Sequence, residues 1–252
     1  MPTLEPQGYV IMAVDTNDID YVACARCLSQ SLKHHHPAAQ VCLITDQAIA
    51  DPAFDHVRLI VPDAGNPYAN DAQLFKLSPF RETIKLEADM LIASPIDHWW
   101  SWFRHRDVVL SQGCRTWQDQ ASTARHYRRV FDDNHLPDIY NAITYWRLSD
   151  TAKEFFGLVK NIFACWTQYR TLIKFSPDQP DTDLVYAMAA QIMGVERVIV
   201  PGSPQIVHMK RHHAGTQTET WTQELVWETD PLRIQTVAQW GAFHYCEKEW
   251  RP

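Results

Sequence analysis

The chain has 252 residues, 46% of them hydrophobic and 21% charged, which is apolar enough for a sizeable core and excludes a disordered chain. A formal net charge of -7 argues against general nucleic-acid binding and against adsorption to an anionic membrane, and leaves only local basic patches such as Arg125, Arg128 and Arg129, or Lys210 and Arg211. No basic and apolar leader opens the sequence, and no apolar run approaches the roughly 20 residues that span a bilayer, so no integral membrane segment is expected.

Tyr9-Val-Ile-Met-Ala-Val14 is a short, almost wholly apolar run suited to a strand covered on both faces. It stops at Asp15-Thr-Asn-Asp18, a cluster of turn and cap residues. From Tyr21 the apolar positions Tyr21, Cys24, Ala25, Leu28 and Leu32 fall at helical spacing. That helix runs into Lys33-His-His-His36 before Pro37. Three histidines in a row invite a metal reading, but cationic residues in a last helical turn suit the helix dipole better. Cys24 and Cys27 form a C-x-x-C inside the same helix with no second pair at zinc spacing. The scattered thiols therefore read as buried and reduced, as in a cytoplasmic protein.

Val41–Thr45 and His56–Val61 are the next predicted strands. The β-α-β-β opening predicts an α/β fold with a mostly parallel central sheet flanked by helices. Leu74–Phe80 reads as a short helix stopped at Ser78-Pro79. In Glu82–Ile92, Ile84, Leu86 and Ala88 alternate to one side, and the carboxylates of Glu87 and Asp89 follow at the C-terminal end. Ligands of open α/β sheets bind at that end of the strands. Two carboxylates beside Met90-Leu-Ile92 are costly unless something pairs with their charge, and a divalent cation is the natural candidate.

The aromatic stretch Ile96–Phe103 is expected to pack in the core, with the wall of a pocket as the alternative. Asp107–Ser111 and Tyr140–Trp146 read as strands on either side of a polar, irregular segment, 112–138. Thr151–Tyr169 has helical periodicity, Asp181-Thr-Asp183 opens a helix through Met193, and Arg197–Val200 and Gln205–Lys210 read as strands. No P-loop, dinucleotide fingerprint or G-x-S-x-G elbow is present. With eight glycines there is no Gly-rich phosphate cradle, so bound phosphates would need a metal ion and side-chain cations.

Taken in order, several segments resemble glycosyltransferase family 8 and the glycogenin-like nucleotide-sugar transferases, over roughly residues 8 to 250. They are the first strand with Asp15-Thr-Asn-Asp18 and Tyr21, Ser78-Pro-Phe-Arg-Glu-Thr-Ile-Lys-Leu-Glu-Ala-Asp-Met-Leu91, Asn141-Ala-Ile-Thr-Tyr145, Asp181-Thr-Asp-Leu-Val-Tyr186, and two His/Lys segments, Ile206-Val-His-Met-Lys210 and Phe243-His-Tyr-Cys-Glu-Lys248. The resemblance implies one GT-A domain over 1–252, Rossmann-like, with a nucleotide-binding part at about 8–112 and an acceptor-side part at about 113–252. It implies transfer of a sugar from a nucleotide-sugar donor, a UDP-sugar, with retention at the anomeric carbon, to an acceptor that is a glycan, a protein or a small molecule. It implies Mn²⁺ or Mg²⁺ held by a D-x-D-like motif, Glu87 and Asp89, with His208 and His244 competing as the further ligand. Asp15, Thr16, Asn17 and Tyr21 would hold base and ribose, while Lys76, Lys210 and Lys248 would meet phosphates or sugar. Asp181 and Asp183 would join Asp89 at the reacting sugar.

Each of these positions also has a plainer reading. Asp15 to Asn17 make a turn and helix cap, Tyr21 faces the core, Lys76 is a solvated helix residue, and Asp181 or Asp183 caps its helix. The sequence departs from the family at Glu87 (usually Asp), Ile143 (usually Gly) and Thr182 (usually Gln). Rival functions are a nucleotidyltransferase, disfavoured by the acidic first loop, and a catalytically degenerate sugar- or partner-binding relative using some of the ten tryptophans.

Overall fold

The computed structural model describes residues 4–63, 65–113, 128–200, 206–209, 224–229, 232–237 and 241–245, with backbone alone at 128, 206–209, 224–229, 232–237 and 243. Along the chain, β1 (Glu5–Met12) leads to α1 (Tyr21–His35), β2 (Val41–Thr45), β3 (His56–Leu59), a 3-10 helix (Pro67–Gln73), α2 (Leu74–Leu77), β4 (Phe80–Glu87), β5 (Met90–Ile92), α3 (His98–Phe103) and β6 (Val108–Gln112). Then come α4 (Arg128–Asp133), β7 (Ile139–Arg147), α5 (Asp150–Ala164), α6 (Trp166–Leu172), α7 (Thr182–Met193), α8 (Val195–Val198), β8 (Ile206–Met209), β9 (Glu224–Thr229), β10 (Leu232–Val237) and β11 (Ala242–Tyr245).

Six strands form the central sheet in the order β3-β2-β1-β4-β7-β6. The first four run parallel, and β7 enters antiparallel between β4 and β6. Both faces are covered, which is why all five residues of β2 are buried and its sequence is so uniformly apolar. On one face Ile11, Ile84, Leu86 and Tyr145 pack with α1 and α3. On the other, Val10, Ile44, Leu110 and Trp146 pack with α5 and α7. The aromatic run of α3 belongs to the first core: Trp99, Trp100 and Phe103 are buried, and Trp100 Nε1 donates to the Tyr9 hydroxyl at 3.0 Å.

β4 ends at Glu87. After a turn at Ala88-Asp89 the chain re-enters extended structure as β5, in a second sheet ordered β5-β11-β8. The acidic pair thus lies at the seam between two sheets. Tyr245 N donates to Asp89 O at 3.0 Å and fastens the turn to β11.

Several elements differ from their sequence-based expectation, α4 among them, which lies in the segment expected to be irregular. The helix predicted over Thr151–Tyr169 is two helices broken at Cys165, whose backbone (φ -108°, ψ 26°) leaves the helical region while Trp166 stays buried. Arg197–Val200, predicted as a strand, pairs in no described sheet: Arg197 and Val198 close the short helix α8, and Ile199 and Val200 follow it. Gly194 at φ 94° ends α7 and the chain turns at once into a further helical turn, of which Val198 alone is buried; an apolar run as short as Val198-Ile-Val200 does not by its periodicity tell a strand from a helix. The predicted Leu74–Phe80 helix is shorter, since Phe80 already pairs with Glu5 in the sheet. At the end of α1 the His36 ring accepts the Ile96 N–H at 2.9 Å, and among the described residues the His34–His36 run belongs to no cluster of metal-ligating side chains. Among the described residues no helix is long and apolar enough to cross a membrane.

Candidate functional site

Glu87 closes β4, Asp89 sits in the turn that follows, and β11 carries His244 alongside Met90. His244 Nε2 lies 2.9 Å from Asp89 Oδ1 and 3.7 Å from Glu87 Oε2. One donor atom from each of the three residues falls within 4.8 Å of the others. The other ring nitrogen, Nδ1, is hydrogen-bonded to the Tyr140 hydroxyl, which fixes the imidazole with Nε2 toward the carboxylates.

This donor set fits a divalent cation. Ligands held about 2.1 Å from one ion stand roughly 3 to 4 Å from each other, close to the separations around His244. Two carboxylates with an imidazole suit Mn²⁺, whereas Mg²⁺ takes oxygen ligands. Burial pushes the Glu87 carboxyl up to about 7, Lys85 and His244 pull it back, and the charges of Asp89 and Asp183 add to the rise.

Beneath Glu87 lies a polar network that sequence reasoning missed. Lys85, on the same face of β4, is 2% exposed and donates to Asn141 O at 2.7 Å. Its ammonium stands 3.7 Å from Asp71 Oδ2 and 3.7 Å from Glu87 Oε1. Asn141 Nδ2 donates to Asp71 at 2.9 Å, and the Thr144 hydroxyl donates to Asn141 Oδ1 at 2.6 Å. The available signal was parity: Lys85 and Glu87 are two apart in a strand, so they share a face. β7 shifts register against β6 between Leu110 and Gln112 next to this network, a place where irregular pairing re-aims side chains.

The other predicted residues are distributed as follows. Asp15 accepts the Val22 N–H at 3.0 Å and the Gln47 amide at 2.6 Å, so it caps α1 together with Asp20, which takes the Ala23 N–H at 2.7 Å. Thr16 accepts the Ile19 N–H at 3.1 Å, Asn17 is exposed, and Tyr21 packs against the first core. Asp15, Asp20, Val22, Arg26, Gln47 and Asp51 line a cavity of about 400 Å³ beyond the C-terminal ends of β1 and β2. Lys76 is exposed on α2. Asp181 is the N-cap of α7, accepting the Leu184 N–H at 2.9 Å. The buried Asp183 accepts the Asn141 N–H at 2.7 Å. Lys210 and Lys248 lie outside the described residues. Of His208 the backbone alone is described, paired in parallel register with His244.

Two outcomes follow from these contacts. Asp15→Ala removes a cap at the start of α1 and is expected to cost about 1 kcal/mol, read by chemical denaturation. Asp183→Ala leaves the Asn141 N–H buried without its acceptor and is expected to cost about 1–3 kcal/mol, whereas Asp183→Asn keeps an oxygen there and is expected to melt close to the wild type. Equal melting of both variants would refute the anchoring of β7 by Asp183.

No protein-family model matches the chain, and no curated protein matches it in sequence. Its structure is similar to that of the galactosyltransferase LgtC solved with donor and acceptor sugar analogs, at 13% identity and a TM-score of 0.54, covering 95% of this chain and 87% of that one. An active-site mutant of LgtC is similar at 15% identity and a TM-score of 0.52, with coverage of 95% and 87%. The fold is the GT-A fold. Mouse xyloside xylosyltransferase 1, in its apo form, is similar at 12% identity and a TM-score of 0.50, covering 77% of this chain and 84% of that one. Within the GT-A frame, Glu87 and Asp89 lie at the carboxyl end of the central strand β4, where ligands of open α/β sheets bind, and β11 brings His244 to them.

Proposed function

We propose that the chain is a metal-dependent glycosyltransferase that transfers a sugar from a UDP-sugar, with retention of configuration, to an acceptor that is a glycan, a protein or a small molecule. The observation that carries this reading is the convergence of Glu87, Asp89 and His244 at the seam of two sheets in a GT-A fold. These three residues would hold a divalent ion, Mn²⁺ in preference to Mg²⁺ because one of them is an imidazole, and when bound it would set positive charge against the diphosphate and stabilise it as the leaving group. Asp89, whose side chain is 9% exposed and which touches His244, is the firmest of the three ligands. Tyr140 keeps the His244 ring turned toward the cluster.

The cavity walled by Asp15 and Gln47 receives the base and ribose, with Thr16 and Asn17 on the same loop and Tyr21 at the start of α1. Lys76, Lys210 and Lys248 supply cations for the diphosphate, and Asp181 and Asp183 flank the donor sugar. The similar solved structures include one that holds donor and acceptor sugar analogs, which supports a two-substrate site here. Of the described tryptophans, Trp99, Trp100, Trp146 and Trp166 are core residues and Trp102 is half-buried against the first core, so the rival that uses a tryptophan-rich surface draws little from them.

Calorimetry with UDP, with other nucleotides and with Mn²⁺, singly and together, tests the reading. UDP binding that needs Mn²⁺ is the expected outcome, and nucleotide binding indifferent to metal would sink it. Hydrolysis of a panel of UDP-sugars then identifies the donor.

A further inference from the structure

We propose that Lys85 is a positioning residue for the metal cluster: its buried ammonium holds one oxygen of Glu87 and so presents the other, alone, to the cation. The inference rests on the metal-dependent reading above and adds a residue to it. An ammonium buried in the body of a sheet is costly unless acceptors surround it, so its partners define its role. One is the Asn141 carbonyl at 2.7 Å. The other two are carboxylates at equal distance, Asp71 Oδ2 and Glu87 Oε1, each 3.7 Å away.

Three neighbouring elements fix the seat of this lysine. The 3-10 helix contributes Asp71, β7 contributes Asn141 and Thr144, and α7 contributes Asp183, whose carboxylate holds the Asn141 N–H at 2.7 Å. With its foundation tied down, Lys85 is a fixed charge beneath the cluster. Glu87 then divides its two oxygens. Oε1 faces Lys85, and Oε2 faces His244 Nε2, each at 3.7 Å. A glutamate has one methylene more than an aspartate and with it an extra rotatable bond, which would let the carboxylate swing. An ammonium behind one oxygen removes that freedom and leaves a one-oxygen ligand.

The competing role is charge balance alone, with Lys85 serving to neutralise the buried Asp71. Two variants of the full chain separate the roles. Lys85→Met deletes the cation. Lys85→Met/Asp71→Asn deletes the cation together with one anion, keeps the network's net charge, and keeps an oxygen for the Asn141 amide. Thermal melting and Mn²⁺ affinity by titration calorimetry are measured on the wild type and both variants.

Loss of a residue that orients a metal ligand weakens metal binding by about 10- to 100-fold, and that loss is expected in Lys85→Met. The double variant is expected to regain the melting temperature but not the Mn²⁺ affinity. Recovery of both would show that Lys85 only balances charge and would overturn the proposal. So would Mn²⁺ affinity in Lys85→Met equal to that of the wild type. Either result leaves the metal-dependent transferase standing, whereas a wild type that binds no Mn²⁺ at all overturns both.

Discussion

Asp89→Ala is expected to lower Mn²⁺ affinity by more than about 100-fold, because residues that merely orient a ligand cost about 10- to 100-fold and Asp89 is itself placed as a ligand. Mn²⁺-dependent UDP binding is expected to disappear with it. The argument turns on what the substitution removes and what it leaves. It removes the carboxylate oxygen 2.9 Å from His244 Nε2, the shortest contact in the cluster. It leaves the backbone carbonyl that accepts the Tyr245 N–H at 3.0 Å, so the turn remains fastened to β11. His244 keeps its bond to Tyr140, and Glu87 remains as a single carboxylate beside it. Two ligands around one divalent ion make a much weaker site than three. Titration calorimetry with Mn²⁺, then with UDP at saturating Mn²⁺, reads both effects. Affinities within about threefold of the wild type would remove Asp89 from the site and take the proposed function with it.

The contrast between His208 and His244 shows where the sequence stopped being informative. Each lies in a short V-H or F-H segment ahead of a lysine, and spacing along the chain did not rank them. The fold explains the tie: β8 and β11 are neighbours in parallel register, with His208 directly beside His244. What distinguishes His244 is its place on the middle strand, where β11 also pairs with β5 and meets the turn that carries Asp89. Antiparallel pairing with a three-residue strand across more than half the chain is not legible in either segment alone.

The opposite case is β1 to β2. There burial on both faces, a polar turn and a helical period write the structure locally, and the predicted bounds of β2 are the observed ones. Lys85 is the reverse case. Its partners come from the 3-10 helix and from a strand carbonyl 56 residues away, and a single lysine in an apolar strand does not announce them. β9 and β10 pair antiparallel, and the Asp230-Pro231 dipeptide between them in sequence is of a kind that signals a turn.

Trp146→Ala is expected to destabilise the chain by about 3–5 kcal/mol, the cost of emptying a large, fully packed aromatic site. Trp146 is 1% exposed and meets the edge of Phe156 with ring centroids 5.0 Å apart. It stands in β7 between Thr83 of β4 and Val108 of β6, so three strands and α5 border the void that the substitution would leave. None of these backbones is free to collapse inward, since each is held in the sheet ladder or by helix packing. The cavity term is therefore added in full to the lost burial. For a chain of this size each kcal/mol lowers the melting temperature by roughly 2–4 °C, which gives a fall of about 6–20 °C by differential scanning calorimetry. The same strand carries Asn141 and Thr144, so loosening β7 also unseats the network below Glu87. Mn²⁺ affinity should then weaken alongside stability, unlike Asp89→Ala, where affinity is lost while the core around Trp146 stays packed. A fall of less than about 3 °C would mean that the α5 side of the sheet is not the second core on which the site is built.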